Sequence, residues 1–83
     1  MPPEVKIYTL STCIHCRNVK KLLDECRVTY ESKDLDLLTM EEREQVLEEL
    51  RKINPACTFP TIVINKKVIV GYRDKDIKEA LGL

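Results

Sequence analysis

Between Val5 and Lys33 the hydrophobic period of this chain changes twice, and that change restricts the fold more than any other feature of the sequence. Val5 to Leu10 alternates apolar and polar side chains with β-branched residues among them, the pattern of a half-buried strand. From Ile14 onward Val19, Leu22, Leu23 and Cys26 recur at helical spacing, while Arg17, Lys20, Lys21, Asp24 and Glu25 occupy the other side. Val28 to Lys33 is again a short β-prone run. Strand, helix and strand in that order predict a crossover unit whose two strands pair in parallel. Ser11-Thr12 supply turn and cap chemistry ahead of a first helix expected to begin at Cys13.

The rest of the chain completes the pattern. After Asp34 to Leu38, Thr39 is followed three residues on by Glu42, a capping box that predicts a second helix from Met40. Its core stripe is Val46, Leu47, Leu50 and Ile53, acidic residues gather in its first turns, and Arg51 and Lys52 close it in keeping with the helix dipole. Asn54-Pro55 ends it. Thr61 to Ile64 and Lys67 to Val70 are two β-branched runs joined by Asn65-Lys66, the shape of a tight hairpin. Gly71 breaks the second run, and Asp74 to Leu81 predicts a short final helix with Ile77, Ala80 and Leu81 facing inward. The order βαβαββα gives an α/β fold in which a parallel pair and an antiparallel hairpin share one mixed sheet covered by helices. At 83 residues, a single domain spanning positions 1–83 is expected.

Charge and composition remove several classes of function. Fourteen Lys and Arg balance fourteen Asp and Glu, so neither nucleic acid nor an anionic membrane is an expected partner. The longest apolar runs are far short of the ~20 residues that span a bilayer, and Met-Pro-Pro-Glu lacks the apolar core of a signal peptide. A cytoplasmic, monomeric protein is expected. With only Gly71 and Gly82 there is no glycine-rich phosphate cradle, and the lone His15 leaves no second histidine for a catalytic or metal pair.

Four cysteines, Cys13, Cys16, Cys26 and Cys57, then stand out, because in a reducing compartment such residues signal redox or metal chemistry more often than structural bridges. Cys13-Ile14-His15-Cys16 is a C-x-x-C at the point where a strand turns into a helix, the context of a redox motif. A thiol at the helix N-terminus faces unpaired backbone N–H groups and the positive end of the dipole, which favour its thiolate over the free value of ~8.5. Cys13 is therefore the expected nucleophile, with amide donors and Arg17 as its stabilisers, and Cys16, one turn on, the expected resolving thiol. Half a zinc site and two inert buried thiols are the alternatives. Cys26 and Cys57 supply no second pair at ligand spacing, so no metal ligand is assigned. From a different functional class comes a module that holds a metal or iron–sulfur cluster through Cys13 between two subunits. Cys26 is in phase with the apolar stripe and is expected to pack as a small hydrophobe. Protonated His15 would favour the Cys13 thiolate, unless it is only an exposed filler.

With these residues in place, the chain resembles the glutaredoxin family, within the thioredoxin fold, over nearly its whole length. The likeness is carried by Val5-Lys6-Ile7-Tyr8-Thr9 with Ser11-Thr12-Cys13-Ile14-His15-Cys16, by Thr58-Phe59-Pro60, and by Gly71-Tyr72. It implies a four-stranded mixed sheet, a cis peptide before Pro60 beside the active-site sulfurs, and a thiol–disulfide oxidoreductase with no tightly bound cofactor. It also implies substrate-binding roles for Thr12, His15, Thr58, Phe59, Pro60, Gly71 and Tyr72, with Phe59 offering its backbone to an extended substrate or to glutathione. The implied partners are a disulfide-bearing protein and an electron donor, either glutathione as co-substrate or thioredoxin reductase. Cys57, three residues before Pro60, would then approach the active site as an auxiliary thiol able to pair with Cys13, unless it is an incidental loop thiol.

Two departures bear on the donor. Glutathione-using members usually carry Lys three residues before the nucleophile and a late Gly-Gly pair, where this chain has Leu10 and Gly71-Tyr72. Loss of that cation removes a charge-assisted hydrogen bond of ~1.5–3 kcal/mol. A glycine followed by an aromatic resembles instead the redoxins that serve ribonucleotide reductase.

Overall fold

The structure is a computed structural model and describes residues 4–82. Strand β1 (Val5–Thr9) leads into helix α1 (Ile14–Glu25), followed by β2 (Glu31–Asp34), a 3₁₀ turn (Leu35–Leu37), α2 (Met40–Ile53), the hairpin β3 (Thr61–Ile64) and β4 (Lys67–Val70), and α3 (Asp74–Ala80). The four strands form one sheet in the order β2-β1-β3-β4. β1 and β2 are parallel, and β1–β3 and β3–β4 are antiparallel. The mixed sheet expected from the βαβ unit and the hairpin is the one observed.

Alternation along the strands sorts side chains onto two helix-covered faces. Val5 and Ile7 with Ile62, Ile64 and Ile69 pack against Val19, Leu22 and Leu23 of α1 and Ile77 of α3. Tyr8 and half-buried Val63 point the other way, onto Val46 and Leu50 of α2 and Leu35. Burying each large apolar side chain contributes about 1.5–3 kcal/mol, so the double-sided sheet supplies most of what holds so short a chain together.

Local chemistry sets the element ends. The Thr39 hydroxyl accepts the Glu42 N–H at 3.2 Å and donates to the Glu42 carboxylate at 2.9 Å, so the capping box starts α2 at Met40 as its sequence predicts. Asn65 and Lys66 both have positive φ, 48° and 72°, the backbone of the two-residue turn whose twist suits a hairpin. Helix α1 begins one residue later than expected, since Cys13 has extended backbone and acts as the cap rather than the first helical residue. Ser11 and Thr12 form the turn before it, closed by the Cys13 N–H to Leu10 carbonyl bond of 3.1 Å.

Strand β2 starts at Glu31, not at Val28. Arg27 takes a φ of 56° and, with Val28, returns its N–H to the last turn of α1, to Asp24 and Leu23 at 3.0 Å each. That closure consumes the residues the β-prone run had assigned to the strand, and it puts arginine where glycine is usual. Two core expectations also shift. Ile53 is 36% exposed at the end of α2, and Cys26, as the C-cap of α1, is only half-buried against the core.

Candidate active site

The carboxyl end of β1 is the centre of the site. Antiparallel pairing sets Tyr8 opposite Thr61, which brings the segment leading into β3 beside the segment leaving β1. The Phe59-Pro60 peptide is cis, and the Gly71 N–H donates to the Pro60 carbonyl at 2.8 Å, drawing the end of β4 against the same point. Gly71 has a φ of 89°, a left-handed conformation that a side chain would strain although no atom stands in the way of one. Thus Cys13, Cys16, Phe59, Pro60 and Gly71 come from three distant stretches of sequence to one end of the sheet. Among the other residues singled out, Thr12, His15, Thr58 and Tyr72 are exposed around that end, Pro60 is buried, and Phe59 is half-buried.

The segment before Pro60 is held from below by a side chain with no local signal. Asn54, the buried C-cap of α2, donates from Nδ2 to the Thr58 and Thr61 hydroxyls at 3.1 Å each, and the Thr61 hydroxyl donates to the Thr58 carbonyl at 2.7 Å. On the other side, Asp36 in the 3₁₀ turn accepts the Ser11 N–H at 2.9 Å and also bonds the Ser11 hydroxyl, fixing the loop that delivers Cys13. Those two bonds hold its carboxyl below the usual range.

The two thiols sit in opposite environments. Cys16 is wholly buried, and burial, reinforced by Cys13, pushes its thiol up to about 11 against the Leu10 N–H and the Lys20 charge that favour its thiolate. Burial also works against ionisation at half-exposed Cys13, but there the Cys16 thiol and the Cys16 and His15 backbone N–H groups prevail and hold it below an ordinary thiol. The Cys16 N–H approaches the Cys13 sulfur at 3.4 Å. Amide donation at the helix start is thus at work as expected. Arg17 does otherwise: its Nε donates to the Ser11 carbonyl at 3.4 Å, so it braces the loop rather than the thiolate.

A groove of about 250 Å³ opens beside this end of the sheet, lined by Leu10, Leu35, Leu47 and Phe59 with Asp36 and Arg43. Both charges face inward partners. Asp36 is on Ser11, and Arg43 donates to the Leu35 and Leu38 carbonyls at 2.9 and 3.4 Å. Leu47 reads as plain core in the sequence, where Arg43 carries no signal. Cys57 lies in the loop before Pro60 with a φ of 51°, packed half-buried against the Tyr8, Leu35 and Leu50 cluster. Among the described residues no cluster of three or more His, Cys, Asp or Glu side chains is arranged to hold a metal ion.

Comparison with known proteins bears on this arrangement directly. The glutaredoxin family profile matches residues 5–69. The chain belongs to the glutaredoxin family. Its members are thiol–disulfide oxidoreductases, and that coarse activity is this protein's as well. It is 37% identical to glutaredoxin 1 of Rickettsia prowazekii over 82% of this chain and 68% of that one. Among solved structures, the methanoredoxin of Methanosarcina acetivorans superposes with a TM-score of 0.92 at 41% identity, covering 96% of this chain and 85% of that one. The glutaredoxin of Methanosarcina mazei gives 0.88 at 43% identity, with 96% and 79% covered. The four-stranded mixed sheet with three helices is shared with these relatives.

Proposed function

We propose that this glutaredoxin reduces polypeptide disulfides by a dithiol mechanism, with glutathione a poor electron donor and a thioredoxin-reductase-type enzyme the better one. Cys13 attacks the substrate disulfide as thiolate, a mixed disulfide forms, and Cys16 displaces the reduced substrate. The opposed environments of the two thiols support these roles, since one is held below an ordinary thiol by its donors and the other is kept as thiol until needed. Phe59, beside cis Pro60, would take an extended substrate along its backbone.

The observation that carries the donor preference is the groove. Where a ligand carboxylate would need a cation, the wall is Leu10 and Leu47, and the neighbouring guanidinium of Arg43 already donates to two backbone carbonyls. Apolar walls suit a polypeptide side chain better than a free carboxylate. Tyr72, 39% exposed after Gly71, adds an aromatic surface where a second glycine would leave an open approach.

Leu10→Lys is the test. Restoring one charge-assisted hydrogen bond should raise glutathione-dependent reduction of a small mixed disulfide about tenfold, corresponding to ~1.4 kcal/mol. Steady-state turnover at fixed glutathione reads it. Efficient turnover by the parent, unchanged in Leu10→Lys, sinks the preference and leaves an ordinary glutathione-dependent glutaredoxin.

A further inference from the structure

Behind Cys16 lies a charged cluster that neither the family motifs nor the groove involve. Lys20 donates to both carboxylate oxygens of Asp34, at 2.8 and 3.0 Å, and the two side chains are only 26% and 20% exposed. The hydroxyl of fully buried Thr9 bonds the same carboxylate, across the pair that sets Thr9 opposite Asp34 in the β1–β2 ladder. An ion pair sunk this far is expensive to desolvate and is weak evidence of a gain in stability, so its position invites a functional reading.

That position is at the carboxyl end of the sheet, under the start of α1. Lys20 is four residues after Cys16 in α1, on the same helix face, and its ammonium is held on Asp34, opposite Thr9 at the end of β1 from which the chain enters the turn before Cys16. We infer that Lys20 is a positioning residue for the second step of disulfide exchange: fixed in place by Asp34 and Thr9, it keeps a cation within reach of the buried Cys16 sulfur. This rests on the proposed role of Cys16 as resolving thiol.

In that step the Cys16 thiol gives its proton to water and the thiolate attacks the Cys13 sulfur. The Cys13–Cys16 bond forms as the bond between Cys13 and the substrate sulfur breaks. The departing thiolate takes up a proton, and two electrons have passed from the dithiol to the substrate. The thiolate is the species that burial penalises, and once Cys13 is tied up in the mixed disulfide its negative charge no longer opposes it. Of the charges around Cys16, Lys20 favours the thiolate. Cys13 caps the same helix, Asp34 faces Lys20 from β2, Asp36 follows in the 3₁₀ turn, and Tyr30 faces Asp34 and Asp24 from the edge of β2; β1 contributes the uncharged Thr9 hydroxyl. Asp34 partly offsets the cation, yet it also prevents the flexible lysine from turning out to solvent.

The probe is dithiobis(nitrobenzoate), mixed in stopped flow with reduced protein carrying Cys26→Ser and Cys57→Ser, so that of the four free thiols only Cys13 and Cys16 report. One coloured thiol leaves when Cys13 attacks and the second when Cys16 resolves, so the two steps appear as two phases. In Lys20→Met the second phase should slow about fivefold near neutral pH and its pH midpoint should move up by about 0.5–1 unit. Lys20→Arg, which keeps the charge, should restore most of the rate, and the first phase is the internal reference. A second phase with parental rate and pH midpoint in Lys20→Met overturns the inference, even if the variant is less stable, because a merely structural ion pair would change stability and not the midpoint. Absence of any second phase in the parent would strike at the dithiol reading itself.

Discussion

Cys13→Ser is expected to lose at least a thousandfold in disulfide reduction, whereas Cys16→Ser should stop after one chemical step, with substrate bound to Cys13 as a mixed disulfide. The asymmetry follows from placement. A serine hydroxyl at the cap of α1 is not a nucleophile toward sulfur at neutral pH, so nothing replaces the first attack. A serine at the buried position leaves that attack intact and removes only the exit. Intact-mass spectrometry after incubation with a peptide disulfide separates the two variants, one unmodified and one carrying a single peptide. Full turnover by Cys16→Ser on protein disulfides without glutathione would remove the resolving role.

The second large effect is the difference in ionisation between two thiols three residues apart. Amide donors lower Cys13 against the opposing effect of burial, while burial drives Cys16 to about 11. At pH 7 a thiol of that kind is ionised at about one part in ten thousand, so iodoacetamide should label Cys13 quickly and leave Cys16 untouched. Peptide mapping of the alkylated protein across a pH series gives both midpoints. An alkylation midpoint for Cys13 equal to that of an ordinary thiol contradicts the account of the helix start. The sign for stability also follows. Cys16 is an acid whose folded value is raised, so the fold holds its neutral form, and the reduced protein should lose stability as pH rises from about 9 toward 11. The Cys13–Cys16 disulfide form lacks that proton and should lose less, keeping only the loss that both forms share from Tyr30 and Lys6, whose folded values are also raised.

The parts of the fold written in local chemistry were legible in the sequence. The hairpin could be read because two β-branched runs and a two-residue turn point to one structure, and α2 because its capping box and dipole charges agree. Strand β2 was misplaced for an equally local reason: Arg27 adopts the left-handed backbone usual for glycine, and its closure of α1 extends through Val28. The short turn Leu35–Leu37 leaves no mark in the sequence, since three residues show no periodicity.

At the site, the C-x-x-C and its helix start were visible because every part of the signal lies within a few residues. The supports were not. Asp36 meets Ser11 across 25 residues of chain, Asp34 meets Thr9 across strand pairing and Lys20 only where α1 packs beside β2, and Asn54 holds Thr58 and Thr61 only once α2 ends against β3. Each of these side chains reads locally as an ordinary polar residue. The fold alone makes it a brace. The groove is half visible in the sequence: Leu10 stands out as a missing lysine, but Leu47 and Arg43 become its walls only when α2 packs beside it.

One measurement reaches the centre of this account. Fully reduced protein is mixed with an equimolar polypeptide disulfide, with no glutathione present, quenched with acid and mapped by mass spectrometry. A dithiol mechanism predicts reduced substrate in stoichiometric yield and protein carrying a Cys13–Cys16 disulfide. A mixed disulfide that persists on Cys13 until glutathione is added would contradict it.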